Sequence, residues 1–193
     1  MNPAAGYSLF DTALGRCGIA WRDERVCAFA LPAADDAATL AQLERRLPGL
    51  AAASPPPPVA DAIAAVQRLL SGEATDLTQV PVDLANVPRF ERTVYEQLRA
   101  VPPGETVTYG ELAARAGAPG AARAVGAAMG RNPMPVIIPC HRVLAGGGRS
   151  GGFSAPGGVT TKFRLLAIEQ AGRGGGLLFE ELPLAVRHGL QTG

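Results

Sequence analysis

Met134-Pro135-Val136-Ile137-Ile138-Pro139-Cys140-His141-Arg142-Val143 is the stretch on which the rest of the chain turns. Val136, Ile137 and Ile138 are apolar and β-branched, and they predict a short buried strand. Pro139 removes a backbone donor and ends the ladder, so the next residue can leave the sheet. That residue is Cys140, followed by His141 and Arg142. A thiol at the end of a rigid strand, with an imidazole and a guanidinium beside it, is a candidate activated nucleophile. The plainer alternative is a small buried hydrophobe, since free cysteine is among the most buried residue types. What surrounds Cys140 has to decide between them.

Working upstream, Arg89 to about Ala100 predicts a helix with Phe90, Val94 and Leu98 toward the core, ended by Pro102-Pro103-Gly104. Thr108 and Glu111 have capping-box spacing and open a helix through about Ala116. Gly117 breaks it. Pro119 sits well at the start of a further helix, running to about Met129 and stopped by Gly130. Two short helices around a glycine-containing turn form a helix-turn-helix candidate, although many helical hairpins bind nothing. In the second helix Ala121, Ala122, Ala124, Gly126, Ala127 and Ala128 make a slim rod with Arg123 as its one long side chain. Such a rod suits close approach to another surface, or tight packing on a neighbouring helix. Downstream, Gly146–Gly152 is a loop lacking the G-K-[ST] of a phosphate-binding P-loop. Thr161–Ala171 predicts a helix closed by Gly172.

The first part reads as three strands, Tyr7–Ala13, Gly15–Trp21 and Val26–Leu31, then a helix over Ala37–Leu47. A stiff proline link at Ser54–Pro58, a helix over Val59–Leu70 and a polar strand near Leu77–Leu84 follow. Asn86-Val87-Pro88 punctuates the chain, and the domain boundary is placed there.

The 193 residues can hold one domain or two small ones, and 47% hydrophobic residues suit a globular core. A net charge of +1 argues against a global basic field for nonspecific polyanion binding but leaves room for a local basic stripe. No apolar run has membrane-spanning length, and no signal-peptide pattern stands at the N-terminus; a cytoplasmic protein without a membrane partner is expected. Cys17, Cys27 and Cys140 form no even framework and no C-x-x-C pair, so free thiols and no metal site are expected.

Ala122-Arg123-Ala124-Val125-Gly126, then Asn132-Pro133, then Pro139-Cys140-His141-Arg142-Val143, in that order behind the helix-turn-helix, resemble the methylated-DNA–protein-cysteine methyltransferases. These are the alkylguanine-DNA alkyltransferases of direct DNA repair. The resemblance covers about Pro88–Gly172. It implies an α+β protein, with an N-terminal ribonuclease-H-like antiparallel sheet with helices over residues 1–85. A mostly helical winged-helix/helix-turn-helix alkyltransferase domain would occupy residues 86–172, followed by a tail over 173–193. Cys140 would be the alkyl acceptor, with His141 withdrawing the thiol proton through a water and Glu169 orienting His141. Asn132 would brace the active-site turn, and Tyr109 would lie by the extruded base and donate a proton to it. Arg123 would be the finger that fills the gap in the duplex. Ala122, Gly126, Tyr109 and Thr108 would meet DNA with it, in the minor groove. Met129, Val143, Phe153, Ser154 and the Gly146–Gly152 loop would line the base pocket. The implied partner is double-stranded DNA containing O6-alkylguanine, bound by a monomer without a cofactor. Phe153 stands where a tyrosine is common in the family, and Ala155-Pro156 is an insertion, which leaves open the range of alkyl groups and the repair of methylated thymine.

The chemistry implied has its own physical logic. The alkyl group sits inside a base stack, so the nucleotide must be extruded at a cost of a few kcal/mol, lower for a poorly paired base. Displacement at a saturated carbon needs thiolate and in-line placement more than an oxyanion hole. Proton donation to the departing base neutralises its developing charge. The thioether product is not reopened by ordinary groups, so each molecule acts once. Two competing readings stand beside it: a helix-turn-helix regulator or alkyltransferase-like lesion binder without transfer, and a Cys-His hydrolase. The first is disfavoured by the presence of Cys140. The second is disfavoured because adjacent side chains on an extended chain point apart.

Overall fold

The computed structural model describes residues 5–171; the expected Gly172 stop and the 173–193 tail lie outside the described residues. Three antiparallel strands come first, β1 (Ala5–Thr12), β2 (Gly15–Arg22) and β3 (Arg25–Ala30), in the order β1-β2-β3. The β2–β3 tip is a two-residue turn in which Asp23 and Glu24 both take positive φ, 48° and 64°. That backbone matches the twist of the flanking strands. Along β2, side chains alternate between two buried faces. Cys17, Ile19 and Trp21 enter the large core, while Ala20 joins Ala28, Ala30 and Leu43 in a smaller cluster. Leu43 belongs to helix α1 (Asp36–Glu44), which closes that second face. The small residues of β2 and β3 let α1 lie close to the sheet.

The Asp35 side chain caps α1 by accepting from the Ala38 amide at 2.7 Å. The helix ends at Glu44, three residues short of the expected Leu47, because Pro48 disfavours helical backbone just before it. Helix α2 (Pro57–Leu70) begins inside the proline run, with prolines at its first two positions. Their missing N–H groups would have been unpaired there in any case. The expected strand near Leu77–Leu84 is not formed. Only Val82 bridges to Val26, and the Arg99 side chain holds the rest as turns by donating to the Leu77, Thr78 and Val80 carbonyls. Pro81 cannot supply a ladder donor.

Helix α3 (Arg89–Arg99) buries Val94, Tyr95 and Leu98, and Phe90 packs at the margin of the core. A two-residue strand, β4 (Val107–Thr108), leads into α4 (Tyr109–Arg115), whose start has the complete Thr108/Glu111 capping box. Helix α5 (Ala122–Arg131) starts three residues later than Pro119 and passes through Gly130, which does not stop it. Gly120, at φ +88°, is left-handed and cannot belong to the helix. At the other end Asn132 precedes Pro133 and is forced to extended ψ, 118°, so the helix stops one residue after Gly130.

Val136–Ile138 is not the expected strand either. Val136 has φ +76°, the Ile138 amide returns to the Met134 carbonyl at 2.8 Å, and all three side chains are buried. The segment is a buried knuckle. Cys140–Arg142 then forms a 3₁₀ turn, and β5 (Val143–Leu144) pairs in parallel with β4. The final helix, α6 (Gly158–Ala171), begins three residues before the expected Thr161 and packs against α2 and the Cys140 turn. One large core runs through both parts of the chain, from Trp21 and Phe29 to Met134 and Leu165. Among the described residues, no helix is long and apolar enough to cross a membrane.

Candidate active site

The knuckle that presents Cys140 is built around one buried amide. Asn132, 4% exposed, accepts from the Met134 amide at 2.9 Å and donates through Nδ2 to the Ile138 carbonyl at 2.8 Å. A buried loop otherwise leaves backbone polar groups unpaired, and this side chain supplies what a sheet would have supplied. Pro139 and the 3₁₀ turn then place Cys140 at the wall of a cavity of about 490 Å³. Met129, Gly130, Asn132, Pro135, Ser154, Ala155 and Pro156 share that cavity from the second part of the chain. Phe29, Gln42, Arg45 and Arg46 close it from the first part. A volume of this size lies within the range of small-molecule sites.

Burial pushes the Cys140 thiol above its ordinary range, since a thiolate loses solvation there. A hydrogen bond from Asn132, the ammonium of Lys162 and the backbone N–H groups of Cys140 and His141 work in the opposite direction. Burial alone would leave an inert thiol; these donors offset part of that penalty. Cys17 and Cys27 are both pushed to about 11, burial being the main cause, and neither is near this cluster of donors.

Beneath the turn lies a closed network. His141 is fully buried, and its Nε2 is 2.8 Å from Glu169 Oε1. Arg142 donates to the same carboxylate through Nη2 at 2.7 Å and Nε at 3.0 Å, and through Nη1 to the Val101 carbonyl. The Gly104 amide reaches Glu169 Oε2 at 3.2 Å. Burial opposes ionisation of Glu169, but the His141 and Arg142 contacts outweigh it and hold the carboxyl well below its usual range. Burial lowers the His141 pKa, against the pull of Glu169, so the ring is neutral at neutral pH. An ionised Glu169 can only accept, so Nε2 carries the proton and Nδ1 presents a lone pair. Nδ1 is buried and has no protein partner among the described residues. The arrangement therefore contains a base with a free acceptor atom, held in one tautomer.

The structure brings Cys140, His141, Glu169 and Asn132 together, with Met129 and Ser154 on the shared cavity. Val143 and Phe153 do not line it. Val143 is fully buried in β5, its carbonyl accepting from Lys162, and Phe153 packs on the core, as the pairing of β5 with β4 turns Val143 inward. Tyr109, half-buried at the start of α4, lies between Gly126 of α5 and the loop at Gly151. A Cβ at Gly151 would stand 2.9 Å from the Tyr109 hydroxyl oxygen, so only glycine permits this approach. Thr108 is occupied as the α4 cap, and Ala122 opens α5. Arg123 is exposed and makes no hydrogen bond or ion pair with a described residue.

Sequence reasoning missed Lys162, Arg142 as a carboxylate partner, and the α1 wall. Lys162 is fully buried, donates to the Val143 and Gly152 carbonyls, and burial lowers it to about 8. Its signal was present: Lys162 and Glu169 are seven residues apart, two turns along one face of α6. The α1 wall left no such signal, since it depends on long-range packing.

Residues 89–171 match the model of the 6-O-methylguanine DNA methyltransferase DNA-binding domain. A methylated-DNA–protein-cysteine methyltransferase of Mycolicibacterium paratuberculosis is 44% identical over 107 residues, covering 55% of this chain and 64% of the relative. The chain thus matches less than two thirds of that relative's length. A crystal structure of the Mycobacterium tuberculosis O6-methylguanine methyltransferase superposes with a TM-score of 0.70 at 30% identity, covering 91% of this chain and 98% of that one. A crystal structure of Mycobacterium tuberculosis OGT in complex with DNA gives 0.68 at 30% identity, over 86% and 94% of the two chains. With likeness of sequence and fold carried through nearly the whole of a solved relative, this chain belongs to the methylated-DNA–protein-cysteine methyltransferase family.

Proposed function

We propose that this chain is a single-use DNA repair protein that moves the alkyl group of O6-alkylguanine in duplex DNA onto Cys140. The observation that carries the reading is Cys140 on a nucleobase-scale cavity directly above the His141–Glu169–Arg142 network. His141 Nδ1, the acceptor left free, takes the thiol proton through a water. Sγ attacks the alkyl carbon, the carbon–O6 bond breaks as the carbon–sulfur bond forms, and the guanine leaves with a proton delivered to it. Burial raises the Tyr109 phenol, so its hydroxyl keeps its proton at neutral pH and can hydrogen-bond the departing base. The product is S-alkylcysteine and restored guanine, and the protein is spent.

Helices α4 and α5 are the surface assigned to DNA, in the minor groove, with Arg123 filling the place of the extruded nucleotide. Its exposure, and the absence of a hydrogen-bond or ion-pair partner for it among the described residues, support that role. Ser154 and Met129 line the space for the base. Residues 86–172 form the alkyltransferase unit, with β4, β5 and α3–α6 as a winged-helix arrangement. Residues 1–85 form a ribonuclease-H-like scaffold, and the protein works as a monomer. The DNA-binding description of the matching family model and the DNA complex of a relative support this partner.

The test is to incubate the protein with duplex DNA carrying O6-methylguanine and locate the methyl by peptide mass spectrometry. One methyl on Cys140 is expected, none on Cys17 or Cys27, and none at all in Cys140→Ser. DNA that is bound but stays methylated would replace this reading with the lesion-binding one.

A further inference from the structure

The carbonyls of three consecutive residues, Arg131, Asn132 and Pro133, all accept hydrogen bonds from the first part of the chain. Arg46, in the turn that ends α1, donates through Nη1 to Arg131 at 3.3 Å and through Nη2 to Asn132 at 2.7 Å. The Phe29 amide in β3 donates to Pro133 at 3.0 Å. These three residues are the exit of α5, and they set the position of the Asn132 side chain. That side chain in turn holds Met134 and Ile138 and hydrogen-bonds the Cys140 thiol. A guanidinium at a helix C-terminus satisfies carbonyls that have no intrahelical partner and complements the negative end of the dipole.

We infer that Arg46 is a positioning residue for the alkyl transfer, acting across the seam between the two parts of the chain to hold Asn132 against the Cys140 turn. The first part of the chain is then a component of the reactive site and not only a scaffold. Arg46 touches no reacting atom in this scheme; it acts through the position of Asn132 and through the field of its guanidinium at Cys140. Arg68, exposed in the last turn of α2 and off the cavity wall, serves as the internal comparison.

The test separates thiol reactivity from DNA binding and from the proposed repair activity. The rate at which iodoacetamide alkylates Cys140 is followed against pH by peptide mass spectrometry, in the full chain, with Cys27 as an internal reference. In Arg46→Met the Cys140 profile shifts to higher pH, and the rate at neutral pH falls about three- to tenfold as the Asn132 donor loosens from the thiolate. The Cys27 profile stays in place. Arg46→Lys, which keeps a donor for the Asn132 carbonyl, recovers much of the loss, and Arg68→Met, off the cavity wall, gives the wild-type profile. With O6-methylguanine duplex, Arg46→Met lowers the single-turnover rate at saturating DNA while affinity for the duplex is kept. A Cys140 profile that superimposes on wild type in Arg46→Met, with the loss confined to melting temperature or to DNA affinity, overturns the inference. If wild-type protein alkylates with iodoacetamide but takes no methyl from DNA, the repair reading fails and the positioning role is still decided by the first measurement.

Discussion

At Glu169 one carboxylate serves two buried neighbours with different demands. Arg142 needs a counter-charge, and His141 needs an acceptor that fixes its tautomer. Removing the negative charge leaves a guanidinium buried without compensation, so Glu169→Gln is expected to cost about 3 kcal/mol at pH 7. The pH dependence has a definite sign. The carboxyl is held below its ordinary value of 4.5, so the unfolded chain takes up a proton before the folded one does. The stabilisation is therefore complete above about pH 4.5 and is lost as pH falls below it. Urea unfolding should show wild type well above Glu169→Gln at pH 7 and the gap narrowing in acid; an equal gap at both pH values would mean the carboxylate's charge is not what holds the site. At this scale Cys140 and His141 stood out in the Pro139–Val143 run, whereas Asn132 and Glu169 were named only through the family resemblance. Lys162 was missed although its spacing from Glu169 was on view, since a lone lysine on a helix reads as solvated until its burial is known.

The knuckle from Asn132 to Pro139 shows where element-level reading fails. An apolar β-branched run is compatible with a buried strand, yet here the run is buried as a loop whose polar backbone is paired by the Asn132 side chain. Hydrophobicity reported burial correctly and secondary structure incorrectly, because periodicity cannot separate the two over three residues. Val136 bears the cost of this geometry at φ +76°, roughly 1–2 kcal/mol for a residue with a Cβ. Glycine removes that strain, while losing about 0.8 kcal/mol more burial than alanine does. Val136→Gly is thus expected to be no less stable than Val136→Ala in denaturant titration, the reverse of the order at an ordinary buried site. A clearly less stable glycine variant would show that the left-handed turn is unstrained. The capping box at Thr108 and the β2–β3 hairpin were readable because local side chains and turn residues decide them. The end of α5 was misplaced by overweighting Gly130 against the restriction that Pro133 imposes on Asn132.

For the molecule as a whole, a single core passes through both parts, and Cys140 stands where they meet. Sequence assigned chemistry to the second part and support to the first. The structure shows the first part supplying Phe29, Gln42, Arg45 and Arg46 to the same cavity, a convergence that no local pattern encodes. The β1-β2-β3 meander was legible from its short runs and the turns between them, whereas the parallel β4–β5 pair joins two-residue segments that no propensity could announce. The central claim is that the Cys140 sulfur is consumed by the carbon it takes. Mixing a fixed amount of protein with a tenfold excess of O6-methylguanine duplex and counting guanines restored at completion tests it most directly. A plateau at one restored guanine per protein molecule is expected, and continued repair beyond that plateau would contradict the account.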